Sequence, residues 1–195
     1  FWLGPLSDYP DDKKPQNEKR IVIRQMWSSP MVFRRASKNH VLCDDAKAFT
    51  AEARRRVAEN RKKRFLVGDG DRILVLGEDE NGKTDDLTPI LVKAGNEFSG
   101  INQSASEFLT SFLIAPIGKQ DEETEEKLSK NDSSVIINFG IKNSSYGTSV
   151  SKFLAGGDAG VAIWERIADE FGTVDLQYDL LLAPHHCSWR SLSYD

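Results

Sequence analysis

The sequence predicts an α/β fold of the α+β layered type, built as one domain over residues 1–195. Two observations support this prediction. Short apolar or β-branched runs bounded by turn residues are typical of strands, and two longer segments have the composition or spacing of helices. Strands and helices alternate along the chain, and two neighbouring strands in the last third form a hairpin. A chain of 195 residues is long enough for one sizeable domain or for a piece of a larger one.

The first two thirds of the chain contain one predicted helix and several apolar runs. The helix begins near Asp44, whose carboxylate can cap it, and continues to about Arg64 because alanine, glutamate and arginine favour the helical state. A charged stretch at 119–132 is predicted to be a surface excursion. The apolar runs lie at residues 21–23, 72–76 and 112–116.

The last third of the chain has the most regular pattern. Between residues 159 and 171 the apolar side chains recur every three or four positions, which predicts an amphipathic helix, and Gly172 stands where a helix commonly ends. A turn rich in glycine, serine and asparagine at 143–149 joins the two strands of the hairpin. The predicted strands lie at residues 133–139, 150–155 and 178–183, and the third is expected to be buried.

Composition and charge exclude several classes of protein. A net charge of −4 gives no reason to expect tight nucleic-acid binding from global electrostatics. No apolar run approaches the roughly 20 residues that cross a bilayer, so no membrane segment is expected. The only cysteines, Cys43 and Cys187, are too few for a disulfide scaffold and match no zinc-ribbon spacing. We expect free thiols and a cytoplasmic location.

A basic stretch in the predicted helix is a local exception to the acidic balance. It contains Arg54, Arg55 and Arg56, and a second group at 61–64. Such a run is typical of a solvated helix face, which is the interpretation we favour. The alternative is a contact surface for nucleic acid.

The residues with chemical potential follow two predicted strands. Asp158 comes after a strand and two glycines, and His185 and His186 follow the next core strand directly. Side chains at neighbouring strand ends can converge on one point, and ligands gather at such ends in open α/β sheets. A carboxylate and imidazoles suit zinc, manganese or iron. Each feature alone is also typical of a turn or of polar surface residues, so the combination supports the metal hypothesis.

Three segments together resemble the metallo-β-lactamase superfamily, and most closely the hydrolase domain of DNA-uptake (competence) proteins. That branch has an Asn-x-x-Ser-Val strand, a strand ending in Thr-Gly-Asp-Ala and a strand ending in Pro-His-His-Gly-Ser. The resemblance covers roughly residues 111–191. The matching segments here are 131–137 (NDSSVII), 153–159 (FLAGGDA) and 181–188 (LLAPHHCS).

The resemblance implies a site with two divalent metal ions, of which zinc is favoured and manganese or iron are possible. Asp158 would bridge the two metals, and His186 would be a metal ligand. His185 would act as the catalytic side chain that contacts the substrate, although the sequence leaves open which of the two histidines binds metal. Asn131 and Ser134 lie where many members place a metal-binding histidine or a polar site residue, and this chain has no histidine there.

The chain departs from the family pattern in two respects. The His-x-His-x-Asp-His motif is absent, and the only other histidine is His40. We therefore expect the motif on an N-terminal segment of the same protein upstream of Phe1, which would complete the αββα sandwich of the family. In addition, Cys187 replaces the usual glycine, whereas Ser188 is retained.

The expected activity is hydrolysis by a metal-bound hydroxide, because a metal ion lowers the pKa of its bound water into the physiological range. Phosphodiesters are the favoured substrates, with nucleic acid as a possible partner. One alternative is a hydrolase of small esters, lactones or amides. Another is a non-catalytic binding or scaffold module that keeps the fold without its metals.

Overall fold

The computed structural model describes residues 1–30, 42–78, 82, 84–98, 107–117, 133–143, 150–188 and 191. Over these ranges the chain is a mixed α/β protein with two β-sheets and two α-helices, as the sequence predicts. The strands are β1 (Gln25–Ser28), β2 (Arg72–Leu76), β3 (Leu91–Val92), β4 (Glu97–Phe98), β5 (Leu109–Ala115), β6 (Ile136–Lys142), β7 (Val150–Ala155) and β8 (Leu180–Leu182). The helices are α1 (Asp44–Lys62) and α2 (Val161–Asp175).

The two sheets differ in size and direction. The smaller sheet has the order β1-β2-β3 and is parallel throughout. The larger sheet has the order β4-β5-β6-β7-β8. Its first four strands are antiparallel neighbours. β8 runs parallel to β7, because helix α2 returns the chain to the edge of the sheet at which β7 begins.

Helix α1 packs on the outer face of the three-stranded sheet. Ala53 and Val57 lie four residues apart, so they share one face of the helix and are completely or almost completely buried. They join a core cluster with strand residues such as Ile73. The other members of this cluster are Met26, Val75, Leu87 and Ile90.

The inner face of the three-stranded sheet packs against the five-stranded sheet. Trp27 of β1 stacks on Phe139 of β6, with 6.4 Å between ring centroids, and meets Phe98 of β4 edge-on. The fully buried residues of this interface are aliphatic and come from both sheets. They are Leu76, Val92, Leu113 and Ile137.

Helix α2 covers the opposite face of the five-stranded sheet. Ile163 and Ile167, again four residues apart, are buried against Ile114, Ile136 and Leu154 of the strands. The packing order is therefore helix, sheet, sheet, helix. Neither helix among the described residues combines the length and apolar character needed to cross a membrane.

Several predicted elements have the expected bounds. Helix α1 lies close to its predicted position but ends at Lys62, and its N-cap is Cys43, so Asp44 is its first residue and not its cap. β2 and β7 occupy the predicted residues. In α2 the helical geometry is interrupted at Gly172, which has φ 70° and ψ 167°. The hairpin of β6 and β7 is present, while most of its connecting turn and the charged stretch 119–132 lie outside the described residues.

Two predicted strands begin at later residues in the structure than the sequence pattern indicated. Residues 21–23 form no strand: Val22 makes a single bridge to Trp2, and the first strand starts at Gln25. The strand predicted at 133–139 begins three residues later, at Ile136, and continues to Lys142. In both cases the pairing partner, and not the local β-branched composition, sets where the ladder begins.

The prediction that residues 178–183 form a buried strand was wrong. The strand is only Leu180–Leu182, and the side chains of Leu180 and Leu182 are 62% and 59% exposed. β8 is the edge of its sheet, and alternate side chains point to opposite faces. Leu181 consequently packs against the core below α2, whereas its two neighbours project from the other face.

Candidate functional site

The ends of β7 and β8 bring the two predicted site segments together. The strands are parallel neighbours, and Ala155, the last residue of β7, pairs with Leu182, the last residue of β8. Parallel strands have their carboxyl ends at the same edge of a sheet. The chain therefore leaves the sheet side by side at Gly156 and Ala183, and the segments that carry Asp158 and His185 start as neighbours.

A backbone hydrogen bond connects these two segments directly. The amide N–H of His185 donates to the carbonyl oxygen of Gly157 at 3.0 Å. Covalent bond lengths across this contact limit the distance between the Cα atoms of Asp158 and His185 to about 9 Å. The backbone segments that carry Asp158 and His185 are thus neighbours in the fold.

The turn before Asp158 requires glycine at position 157. Gly157 has φ +55°, in the region that side chains disfavour. A Cβ atom there would lie 3.1 Å from both the Cβ of Ser134 and the carbonyl oxygen of Val135. The next amide, that of Asp158, donates a 3.1 Å hydrogen bond to Oγ of Ser134. Ser134 therefore supports the backbone of the half-buried Asp158.

Trp164 of α2 lies close to Gly156 at the start of the aspartate turn. A Cβ atom on Gly156 would lie 2.9 Å from the indole of Trp164 and 3.3 Å from the Cβ of Pro184. Glycine at position 156 thus allows the helix and the residue before the histidine turn to approach the aspartate turn closely. The apolar spacing of the helix had indicated only that Trp164 lies on its apolar face.

The histidine turn has an unusual backbone. His185, His186 and Cys187 have φ values of 49°, 55° and 64°, so three consecutive residues with side chains occupy the left-handed region. This conformation costs about 1–2 kcal/mol per residue for L-amino acids. Strain of this kind persists only where the surrounding contacts enforce it, and it is often found at functional sites.

The side chains of this turn are accessible to different degrees. His185 is half-buried, whereas His186 and Cys187 are exposed. The two imidazole rings are 6.3 Å apart between centroids and tilted by 52°. They are not stacked, so each ring can face a different neighbour. Cys187, which replaces the glycine of the resembled family, has its thiol free of any disulfide.

The donor atoms at the strand ends suit a divalent metal by type. One carboxylate and two imidazoles are the ligands that zinc, manganese and iron accept. Within the part of the chain that the structure describes, however, no three histidine, cysteine, aspartate or glutamate side chains lie close enough to hold an ion. The described residues therefore do not complete a metal site. His40 and Asn131 lie outside them.

Three residues of the basic stretch form ion pairs with buried carboxylates. Arg56 is fully buried and donates to Oε1 of Glu52 at 2.7 Å. Arg55 donates to Glu52 and, at 2.7 Å, to Asp71. Lys63 also pairs with Asp71, at 3.0 Å. The interpretation of the stretch as a solvated helix face was wrong for Arg55 and Arg56, because their guanidinium groups neutralise buried carboxylates.

One buried residue near the histidine turn has no signal in the sequence. Ser191 is 1% exposed, and its hydroxyl contacts the carbonyl oxygens of Pro184 and Ser188. A serine in a polar segment shows no periodic signal, so only the folded contacts reveal it.

Comparison with family models, with curated proteins and with solved structures gave no match to this chain.

Proposed function

We propose that this chain supplies a carboxylate and an imidazole to the metal site of a metal-dependent hydrolase. The supporting observation is the 3.0 Å hydrogen bond between the His185 amide and the Gly157 carbonyl, which joins the two turns at one edge of the sheet. In this proposal Asp158 and His186 are metal ligands. His185 lies next to them and contacts an oxygen of the substrate.

The order of elements supports the same proposal. A strand, a Gly-Gly-Asp turn, a helix, a parallel strand and a Pro-His-His turn occur in the order expected for a metallo-β-lactamase-like hydrolase, with zinc the favoured metal. When bound, such a metal activates water for attack on the substrate. The remaining ligands come from residues outside those that the structure describes.

The contribution of the chain itself is to hold the backbone at three side chains, those of Asp158, His185 and His186. Ser134 supports the amide of Asp158, and the left-handed backbone of the histidine turn directs the imidazoles of His185 and His186. A neutral imidazole of His185 can donate one hydrogen bond to a phosphoryl or acyl oxygen. We propose phosphodiesters as the substrate class because the resemblance is closest to the DNA-uptake branch.

Zinc binding by the full-length protein tests the metal site. We expect D158N and H186Q to weaken zinc binding by at least about tenfold each, as the loss of a ligand or of its supporting residue typically does. D169N, which removes an exposed carboxylate of α2, is the matched control and should bind zinc as the wild type does. Isothermal titration calorimetry measures all four proteins. Absence of binding by the wild type, or equal binding by all variants, would contradict the proposal.

Hydrolysis assays separate the substrate classes. Bis(p-nitrophenyl) phosphate reports phosphodiester cleavage, and p-nitrophenyl acetate reports cleavage of a small ester. The proposal expects zinc-dependent cleavage of the first, with H185A lowering kcat while zinc affinity is retained. Cleavage of the ester alone would replace the phosphodiester assignment by an acyl one. Zinc binding without either activity would favour the binding or scaffold role.

A further inference from the structure

The hydroxyl of Ser191 lies within hydrogen-bond distance of a carbonyl oxygen at each end of the strained histidine turn. It donates to the carbonyl oxygen of Ser188 at 2.6 Å, directly after the turn, and lies 3.2 Å from the carbonyl oxygen of Pro184, directly before it. The amide of Ser191 also donates to the carbonyl of Ser188, at 3.0 Å. Ser191 itself is buried, so water does not compete for these contacts.

Hydrogen bonds within the turn are local. The amide of Cys187 donates to Pro184 at 3.1 Å and the amide of Ser188 donates to His185 at 3.0 Å. Each of these bonds spans three residues and belongs to the turn itself. Among the described residues, the Gly157 carbonyl accepts from the first residue of the turn, and the Ser191 hydroxyl reaches the turn from beyond its carboxyl end. The Ser191 side chain therefore lies within hydrogen-bond distance of a carbonyl at each end of the turn.

We propose that Ser191 is a positioning residue that holds His185, His186 and Cys187 in the left-handed conformation. A relaxed turn would change the directions in which both imidazoles project. A hydroxyl has one proton and two acceptor carbonyls within reach, so it can hold the turn from either end. The use of the imidazoles as metal and substrate contacts rests on the proposed function, whereas the conformation of the turn does not.

Amide hydrogen exchange in the full chain, read by NMR, tests the role of the hydroxyl. In S191A we expect the amides of Cys187 and Ser188 to exchange about tenfold faster, the factor that corresponds to the loss of one hydrogen bond. S191T keeps the hydroxyl and should restore slow exchange. S111A removes a different buried serine, on β5, and should change these two rates by less than about twofold, since distant sites act independently.

Three results would overturn the proposal. The amides of Cys187 and Ser188 could exchange in S191A at the wild-type rate, or in S111A as fast as in S191A. They could also exchange in S191T as fast as in S191A, and the effect would then come from packing and not from the hydroxyl. If S191A does not fold, S191C takes its place, because a thiol is only a weak donor.

Imidazole NMR signals and zinc affinity complete the test. The imidazole signals of His185 and His186 should shift in S191A and return to their wild-type positions in S191T. Zinc binding should weaken in S191A, while the midpoint of thermal unfolding stays at its wild-type value. If the wild type binds no zinc, the proposed function fails, while the exchange rates and imidazole signals still decide the role of Ser191. Unchanged imidazole signals in S191A would contradict the positioning role.

Discussion

Arg56 and Glu52 form an ion pair in the interior between α1 and the three-stranded sheet, with 2.7 Å between Nε and Oε1. The guanidinium also donates to the carbonyl oxygens of Ile23 and Arg72, at 2.9 and 3.0 Å. These carbonyls belong to the segment before β1 and to the first residue of β2. One buried side chain therefore connects the helix to both neighbouring strands of the sheet.

We predict that R56A destabilises the protein by about 3 kcal/mol, because it removes one of the two arginine partners of the buried Glu52 carboxylate and the donor that reaches the carbonyls of Ile23 and Arg72. Urea unfolding followed by circular dichroism measures the change. K62A is the control: its side chain is 75% exposed, and we expect a change within about 0.5 kcal/mol. Similar losses for both variants would show that Arg56 does not connect these elements.

Because of the ion pairs of Asp71, we expect the stability of the fold to depend on pH in the acid range. Burial raises the pKa of its carboxyl group, but hydrogen bonds from Arg55 and Lys63 outweigh burial, so the net pKa is lowered. The ion pairs therefore stabilise the fold fully above the unfolded-state pKa of about 4 and are lost as the pH falls through the lower folded-state value.

We expect the free energy of unfolding to decrease from about pH 4 towards pH 2 and this decrease to become shallower in D71N. The control is D86N: Asp86 pairs with Arg61 at an exposed site, where an ion pair contributes little, so its effect should be smaller. Urea titrations at a series of pH values measure both. If the free energy of unfolding decreased equally steeply with falling pH in the wild type and in D71N, the prediction would be contradicted.

The backbone of Gly157 makes the aspartate turn sensitive to a single methyl group. G157A places a Cβ 3.1 Å from Ser134 and Val135 at a positive φ, so we predict a loss of about 2 kcal/mol in stability. G68A is the matched control, because a Cβ at Gly68 meets no atom within 4 Å. It should be neutral or stabilise the fold by up to about 1 kcal/mol. Thermal unfolding of both variants checks the difference, and equal midpoints would disprove the strain at Gly157.

Elements with a strong local pattern could be predicted from the sequence. The apolar spacing after residue 159 predicted α2, but the helix continues to Asp175 beyond the end expected at Gly172, where only its geometry is interrupted. The strand at 72–76, bounded by turn residues, was likewise predicted correctly. The exposure of Leu180 and Leu182 could not be predicted, since it depends on β8 being at the edge of its sheet, and a strand's position in a sheet is set by residues far along the chain.

In the candidate site, too, some residues could be predicted from the sequence and others could not. Its chemical groups, Asp158 and the histidine pair, are visible in the sequence because each follows a strand. Their supporting residues are not: Trp164 resembles any apolar helix residue, and Ser191 resembles any polar one. The roles of arginines also depend on the fold, since a cation is buried only where carboxylates such as Glu52 and Asp71 converge on it.

The sequence by itself determined where most strands and helices form and which ligand-type side chains end two of the strands, because these properties depend on neighbours within a few residues. Only the tertiary structure decided that β7 and β8 are parallel partners, that Gly157 and His185 are joined by a hydrogen bond, and that Arg56 lies inside. The physical reason is that strand pairing and burial are stabilised by contacts between different segments of the chain, such as Arg56 with Ile23 and β7 with β8. Such contacts leave no periodic signal in either segment alone.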